Sequence, residues 1–269
     1  MINDVFRLGD AELKVYVLEN PDDDYGDKKR PFVIICPGGG YNFLASREGE
    51  CIATMFNFHG INAGVLYYSL NPNRFPKALC ELSQAVAVVR SHSAQWHTPY
   101  DQIAVCGFSA GGHLAASLAT MWHEAWLDDE SGTTKDQRQP NALISCYSVI
   151  TSGDFANKGT FESLLGPDPD NRLLEMNSVE RNVTEHTPPT FIWQTWTDKL
   201  VPVENALLFA EALRRSGVGC EMHIYGDGEH GLGLATSDYV CQKHPVPNPH
   251  VARWSEDAVE WLNHIFGRD

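Results

Sequence analysis

The chain alternates between short continuous apolar runs and longer segments in which apolar residues recur at helical spacing. The runs FVIIC at 32–36 and IAVC at 103–106 contain only apolar side chains, which is typical of strands buried on both faces of a parallel sheet. Further strands are predicted at 63–68, 142–147, 191–195 and 221–225, with a half-exposed strand at 13–17. Helices are predicted near 48–58, 77–92, 203–215 and 252–266, and directly after 107–112. Strands that alternate with helices of about 12 residues indicate an α/β fold with a mostly parallel central sheet and helices on both faces.

Two polar segments interrupt this alternation. Residues 127–141 are rich in turn formers, and residues 151–189 combine weak periodicity with many Gly, Pro, Asn and Asp residues. We interpret 151–189 as a cap-like excursion that contains short helices. No internal repeat, low-complexity tract or linker divides the sequence. Residues 1–269 are therefore predicted to form a single domain.

Composition and charge exclude several classes of partner. The 269 residues include 20 Lys+Arg against 35 Asp+Glu, a formal net charge of −15, whereas a nucleic-acid binder shows a basic face. No apolar run approaches the roughly 20 residues of a membrane-spanning helix, and the first residues lack the basic start and apolar stretch of a secretory signal. The seven cysteines are widely spaced, without a C-x-x-C pair. We therefore expect a cytoplasmic protein without disulfides and without a nucleic-acid or membrane partner.

The clearest chemical motif is a G-x-S-x-G sequence, GFSAG at 107–111. It lies between a predicted buried strand and a predicted helix, which is the context that makes this pattern informative. Such a tight turn forces the serine into a strained backbone conformation, and its neighbours must lack bulk so that strand and helix can pass closely. The pattern predicts Ser109 as a nucleophile held at the positive end of a helix. The alternative is a glycine-rich turn of an ordinary α/β protein.

A second glycine-rich loop, PGGGY at 37–41, follows an earlier buried strand. Consecutive glycines leave backbone N–H groups free to point at an anion, and acyl transfer needs such donors where a carbonyl oxygen becomes negative. We expect the N–H groups of Gly39, Gly40 and Ala110 to form this oxyanion hole. Phosphate binding is disfavoured because no phosphate-binding glycine motif is present, and a flexible turn is the remaining alternative.

A serine nucleophile needs a base and a carboxylate that orients the base. Asp198 follows the strand at 191–195 and His230 follows the strand at 221–225, at strand ends where this fold class places its active sites. The order Ser109, Asp198, His230 is the order found in α/β-hydrolases.

Competing residues are placed less well. Several acidic residues lie in the same turn as His230 or in the irregular excursion, namely Asp227, Asp154, Asp168 and Asp170. His113, one helical turn after Ser109, is expected to be a packed helix residue. The sequence pattern alone does not exclude His186 or His244 as the base. No H-E-x-x-H and no Cys/His cluster with ligand spacing occurs, so neither a metal nor another cofactor is expected.

Four segments together resemble a known superfamily. They are PGGGY at 37–41, GFSAGGH at 107–113, TPPTFIWQTWTDKLVPVENA at 187–206 and GEHGLGLA at 228–235. The sequence resembles the α/β-hydrolases from about residue 30 to its end. More narrowly, it is similar to the esterase/lipase group related to hormone-sensitive lipase, and within that group to a bacterial branch of carbohydrate-type acetyl esterases.

The resemblance implies the roles already assigned from the residues. Ser109 is then the nucleophile, Asp198 the acid and His230 the base, with Gly39, Gly40 and Ala110 as oxyanion donors. One departure is Pro37, because the wider group carries His before its glycines. The backbone donors are unaffected by this change because they belong to the glycines.

The expected function is a serine carboxylic-ester hydrolase that acts on short-chain, water-soluble acyl esters. Acetylated sugars are the substrate class that the resemblance implies, through ester cleavage and not glycosidic cleavage. Tyr41 and Trp196 lie beside the two site loops and are expected to form walls of the substrate pocket, with core packing as the alternative for each.

The rival functions are a serine exopeptidase or lactonase that uses the same three residues, or a non-catalytic binding module. The sequence leaves the oligomeric state open, a homo-oligomer included.

Overall fold

The computed structural model describes residues 1–20, 26–237 and 247–268. Within these ranges one sheet contains eight strands in the order β1-β2-β4-β3-β5-β6-β7-β8. The strands are β1 (Ile2–Leu8), β2 (Ala11–Val17), β3 (Phe32–Cys36), β4 (Asn62–Tyr67), β5 (Ile103–Phe108), β6 (Ala142–Cys146), β7 (Thr190–Thr195) and β8 (Cys220–Tyr225). The first two strands and the β2–β4 pair run antiparallel, and β4, β3, β5, β6, β7 and β8 pair in parallel. This confirms the predicted mostly parallel sheet.

Ten α-helices lie within the described ranges. They are α1 (Glu50–Phe58), α2 (Lys77–Ser91), α3 (Ala110–Met121), α4 (Trp126–Ser131), α5 (Lys135–Arg138), α6 (Lys158–Leu165), α7 (Asn171–Met176), α8 (Glu204–Arg215), α9 (Pro249–Ala252) and α10 (Trp254–Ile265). Two 3₁₀ turns cover Ser46–Glu48 and Val179–Arg181.

The central strands are continuously apolar because both faces of the sheet are covered. Successive residues of β3 alternate between two cores: Ile34 belongs to the core that also contains side chains of α2, α3 and α8, whereas Val33 and Ile35 belong to the core that contains side chains of α1 and α10. A strand whose two faces are both buried cannot show polar alternation. The sequence pattern that predicted these strands is therefore a direct consequence of the layered architecture.

The site loops follow the carboxyl ends of neighbouring strands. In the β3–β5 pair Cys36 lies beside Gly107, and in the β7–β8 pair Thr195 lies beside Tyr225. The strand order therefore brings the turn after β5, the glycine loop after β3 and the loops after β7 and β8 to one edge of the sheet.

Some elements differ from the sequence-based expectation. Strand β1 was not predicted, because it is an edge strand with mostly exposed side chains and therefore no regular apolar pattern. The polar segment 127–141 contains α5 and all of α4 except its first residue, and α5 begins with a capping box between Thr134 and Gln137. Such short helices depend on caps and tertiary contacts instead of an amphipathic face.

The excursion at 151–189 contains α6, α7 and the second 3₁₀ turn. Phe161 of α6 is buried against Val149 and Val201, so the excursion is packed onto the loops that leave β6 and β7. None of the helices in the described ranges combines the length and apolar character needed to cross a bilayer.

We predict that the substitution Gly111→Ala destabilises the fold. Helix α3 packs so closely on the end of β3 that a Cβ atom at Gly111 would lie 2.1 Å from the Cys36 carbonyl oxygen and 2.4 Å from that of Pro37. Relieving this overlap requires backbone movement, which costs about 1–3 kcal/mol. Urea denaturation should show this loss of unfolding free energy, although alanine is the better helix former by about 1 kcal/mol.

The matched control is Gly219→Ala, because a Cβ atom at Gly219 would meet no heavy atom within 4 Å. Its unfolding free energy should stay within about 0.5 kcal/mol of the unchanged chain. Equal stability of the two variants would contradict the close-packing argument.

Candidate active site

Ser109 occupies a sharp turn between β5 and α3. Its backbone has φ +54° and ψ −118°, a region that L-residues enter only when the surroundings enforce it. A Cβ atom at Gly107 would lie 2.2 Å from the Gly111 carbonyl oxygen, so the turn closes only with glycine there. The strained serine predicted from the G-x-S-x-G pattern is therefore present in the structure.

The structure brings three of the predicted side chains into one hydrogen-bonded chain. His230 Nε2 lies 2.8 Å from Ser109 Oγ, and His230 Nδ1 lies 2.7 Å from Asp198 Oδ2. The other carboxyl oxygen of Asp198 accepts hydrogen bonds from the N–H groups of Leu200 and Val201, at 2.8 and 3.0 Å. Since a carboxylate only accepts, we assign the imidazole proton to Nδ1, which leaves Nε2 able to accept the serine proton.

The Asp198 side chain is fully buried, and that of His230 is 13% exposed. A buried carboxylate is tolerated when it is hydrogen-bonded, and here both oxygens accept, one from two backbone N–H groups and the other from the imidazole N–H. The arrangement is thus pre-formed and needs no substrate to assemble it.

The glycine loop lies directly against Ser109. A Cβ atom at Gly38 would be 2.9 Å from Ser109 Cβ, and Gly39 and Gly40 have φ values of +132° and +64°. Within the described ranges, the N–H groups of Gly39, Gly40 and Ala110 donate to no protein acceptor. Donors left open in this way are available to a ligand oxygen.

A cleft of about 440 Å³ opens above Ser109 and His230. Its walls come from the glycine loop, from the start of α6 and from the loop after β7. The α6 wall contains Asn157 and Thr160, so the excursion takes part in shaping the cleft. Two exposed apolar side chains, Phe43 (53%) and Leu200 (57%), flank the opening.

Neither residue expected as a pocket wall lines this cleft. Tyr41 is 2% exposed and packs beneath the glycine loop, where its hydroxyl lies 3.0 Å from His113 Nδ1. The Trp196 side chain is 61% exposed and is absent from the cleft walls, and its backbone N–H donates to the Tyr225 carbonyl. The expected wall positions are therefore corrected: Tyr41, with a φ of +58°, is packed in the core, which was the alternative for it. The side chains at the cleft opening are instead Phe43 and Leu200.

His113 is a packed residue, as expected. Its Nε2 donates to the Asn177 carbonyl at 2.8 Å while Nδ1 accepts from Tyr41, so the neutral ring is fully hydrogen-bonded. Burial lowers the pKa of His113 to about 4. His186 lies elsewhere, with its ring 5.0 Å from that of His123, and His244 lies outside the described residues.

Two buried polar residues beside the cleft, Glu48 and Tyr147, carry no sequence motif. The Tyr147 hydroxyl donates to Glu48 at 2.8 Å, although 99 positions separate them in the chain. Because the two meet only through the packing of separate strands and loops, no local pattern identifies them.

Among the described residues, no three His, Cys, Asp or Glu side chains are grouped as a metal site would require.

Comparison with known proteins places the chain in a family. The family model BD-FAE matches residues 21–213, a range that includes Ser109 and Asp198 and ends before His230. The chain is 35% identical over 217 residues to a protein of Butyrivibrio fibrisolvens named endo-1,4-beta-xylanase B, covering 79% of this chain and 34% of that protein. It is 29% identical over 234 residues to an acetylxylan esterase of Xylanibacter ruminicola, covering 85% of this chain and 45% of that protein.

The chain thus spans less than half the length of both curated relatives. Most of the Butyrivibrio protein lies outside the shared segment, so its name does not assign xylanase activity to that segment. Among solved structures, an acetyl ester-xyloside bifunctional hydrolase from Caldicellulosiruptor lactoaceticus has a TM-score of 0.83 and 36% identity, covering 96% of this chain and 89% of that one. The fold is that of the α/β-hydrolases.

We predict that His113 makes the stability of the protein depend on pH. The ordinary pKa of 6.5 applies to the unfolded chain, whereas the folded value is about 4. Between these values the unfolded chain binds a proton that the folded protein does not, so lowering the pH favours unfolding. The slope from this one group approaches about 1.4 kcal/mol per pH unit.

Urea denaturation between pH 4 and 7 measures this slope in the unchanged chain and in His113→Asn. The variant should lose stability more slowly as the pH falls, whatever its stability at pH 7. Parallel curves for the two proteins would contradict the assignment.

Proposed function

The chain belongs to the BD-FAE family, and from that premise we propose that it is a serine carboxylic-ester hydrolase with Ser109, Asp198 and His230 as catalytic residues. The observation that carries the proposal is the pair of hydrogen bonds that joins the three side chains. Acyl transfer through serine requires a nucleophile, a base within reach of its proton, and a group that orients the base.

Acylation begins when Ser109 Oγ forms a bond to the ester carbonyl carbon and its proton passes to His230 Nε2. The carbonyl oxygen takes the negative charge of the tetrahedral intermediate. The bond to the alcohol oxygen then breaks, and that oxygen leaves with the proton from Nε2. In the second half-reaction water attacks the acyl group in the same way, which releases the carboxylic acid and restores the Ser109 hydroxyl.

Asp198 holds the imidazole and stabilises its charged form during both half-reactions. Its two backbone donors fix the carboxylate in place, so the second oxygen stays aimed at His230. The oxyanion is then stabilised by the N–H groups of Gly39, Gly40 and Ala110. Their open hydrogen-bonding positions and the N-terminus of α3 support this role.

We propose short-chain acyl esters as substrates, with acetylated sugars as the leading class. The printed names of two similar proteins, an acetylxylan esterase and an acetyl ester-xyloside hydrolase, support this choice. The opening between Phe43 and Leu200 offers apolar surface on which one face of a sugar ring can pack. In this proposal the excursion at 151–189 is a cap that shapes the cleft within a single domain.

A reducing, cytoplasmic location is part of the proposal. The cysteines within the described ranges are all unpaired, and Cys241 lies outside those ranges. Free thiols of this kind are typical of proteins that are not exposed to an oxidising compartment.

We predict that Ser109→Ala abolishes ester hydrolysis without unfolding the protein. Loss of a serine nucleophile costs on the order of 10⁶ in kcat, which assays with p-nitrophenyl acetate resolve. The matched control is Ser117→Ala, a buried serine on the same helix whose hydroxyl contacts no partner among the described residues. Retention of full activity by Ser109→Ala would refute the catalytic assignment.

We predict that kcat/KM is highest for acetyl esters and falls as the acyl chain lengthens from acetate to decanoate. A panel of p-nitrophenyl esters measures this trend, and acetate release from acetylated xylo-oligosaccharides tests the sugar assignment. Aminoacyl amides and lactones complete the panel. Hydrolysis of amides alone, or of lactones alone, would replace the esterase proposal with an exopeptidase or lactonase function.

A further inference from the structure

Glu48 is a buried acidic residue that the mechanism above does not use. Its side chain is 1% exposed, and each carboxyl oxygen accepts one short hydrogen bond. Oε2 accepts from the N–H of Gly38 at 2.8 Å, and Oε1 accepts from the Tyr147 hydroxyl at 2.8 Å. Since Gly38 immediately precedes the proposed oxyanion donors, Glu48 holds the glycine loop at its base.

Tyr147 connects the same carboxylate to residues 228–235, the segment after β8 that contains His230 and is called the histidine loop below. Its hydroxyl donates to Glu48 and accepts from the N–H of Gly233 at 3.1 Å, and its ring centroid lies 5.1 Å from that of His230. Burial, with the nearby charge of Glu48, raises the pKa of Tyr147 well above its usual value. The hydroxyl therefore keeps its proton and donates throughout the working pH range.

Arg47 adds a second link between the two loops. Its Nε donates to the Gly231 carbonyl, and its Nη2 lies 3.6 Å from Glu48 Oε1. The histidine loop is thus tied on both sides of Leu232 to one buried carboxylate. At the other end that carboxylate is bound to the glycine loop, which packs on Ser109.

We propose that Glu48 and Tyr147 are positioning residues that hold the glycine loop and the histidine loop at a fixed distance and orientation across the cleft. The inference rests on the proposed esterase function, because it assigns these residues to the geometry of that reaction. Neither residue touches the reacting atoms in this role. Glu48 orients the loop that contains the oxyanion donors, and Tyr147 supports the loop that presents the base.

The chemistry of Glu48 explains why a neutral isostere is a sharp test. In Glu48→Gln one of the two oxygens becomes an NH₂ group, which donates and does not accept. The amide therefore satisfies either Gly38 or Tyr147, and the other donor loses its acceptor. In Tyr147→Phe the hydroxyl is absent, so the Gly233 N–H loses its acceptor and Glu48 loses a donor. Small displacements of catalytic groups produce rate losses near 100-fold.

The experiment measures p-nitrophenyl acetate hydrolysis by Glu48→Gln, Tyr147→Phe and the double variant. A serine-reactive fluorophosphonate counts the competent sites in each preparation, so that kcat refers to competent protein only. We expect kcat per competent site to fall by about 10-fold to 100-fold in each single variant, with little change in KM. The double variant should lose less than the product of the two single losses, because both changes break one network.

A transition-state analogue separates positioning from general structural support. A trifluoromethyl ketone forms a tetrahedral adduct with the catalytic serine, and its inhibition constant should rise by the same factor as kcat/KM falls. A merely structural role would lower the number of competent sites and leave kcat and the inhibition constant of the remaining sites unchanged.

Glu81→Gln is the matched control. Glu81 is also a buried carboxylate that accepts from a backbone N–H and a hydroxyl, both of Ser69, with Lys77 at 3.8 Å. It lies outside the cleft walls, so its variant should keep the kcat of the unchanged chain. Equal kcat in Glu48→Gln, Tyr147→Phe and the unchanged chain would overturn this inference alone, whereas activity in Ser109→Ala would overturn the proposed function on which it rests.

Discussion

The close backbone packing of α3 on the ends of β3 and β5 governs the geometry of the whole site. At Gly107 and Gly111 the space for a side chain is taken by main-chain atoms of the neighbouring element. This contact sets the angle at which the chain leaves β5, and so forces Ser109 into its strained conformation. It also presses the glycine loop against the serine. The free energy stored in the turn is offset by the buried apolar layers on both faces of the sheet.

The buried carboxylates at the site are hydrogen-bonded on both of their oxygens. Asp198 and Glu48 are both buried carboxylates: Asp198 accepts from two backbone N–H groups and His230, and Glu48 accepts from one backbone N–H group and the Tyr147 hydroxyl. Backbone donors are fixed by the fold and lose no side-chain entropy when they bind. The charges are thereby oriented before any ligand arrives, which is the condition under which electrostatic stabilisation contributes most to a reaction.

The sequence predicted those features that depend on local pattern. Continuous apolar runs located the central strands, and the glycines around Ser109 located the turn, because each reflects a constraint acting on adjacent residues. Asp198 and His230 were found from their positions after strands, and the structure brings both to Ser109. Strand β1 was missed because an exposed edge strand has no periodic signal. For Tyr41 the sequence left pocket wall and core packing as alternatives, because a positive φ at tyrosine has no sequence signal.

The pairing of Glu48 with Tyr147 was beyond sequence reasoning for a different reason. The two residues belong to separate elements and share no motif, so their contact exists only in the assembled fold. Contacts of this type are specified by the packing of several strands together. Periodicity in a single sequence does not encode them.

The place of β8 in the sheet has a consequence for how activity is lost. This strand has a single neighbour, β7, within the described residues, yet the loop that follows it presents the imidazole. Edge elements detach at lower free energy than central ones. Fraying at this margin would separate His230 from Ser109 while the interior remained intact, so mild heat or denaturant should abolish ester hydrolysis before the circular dichroism spectrum changes.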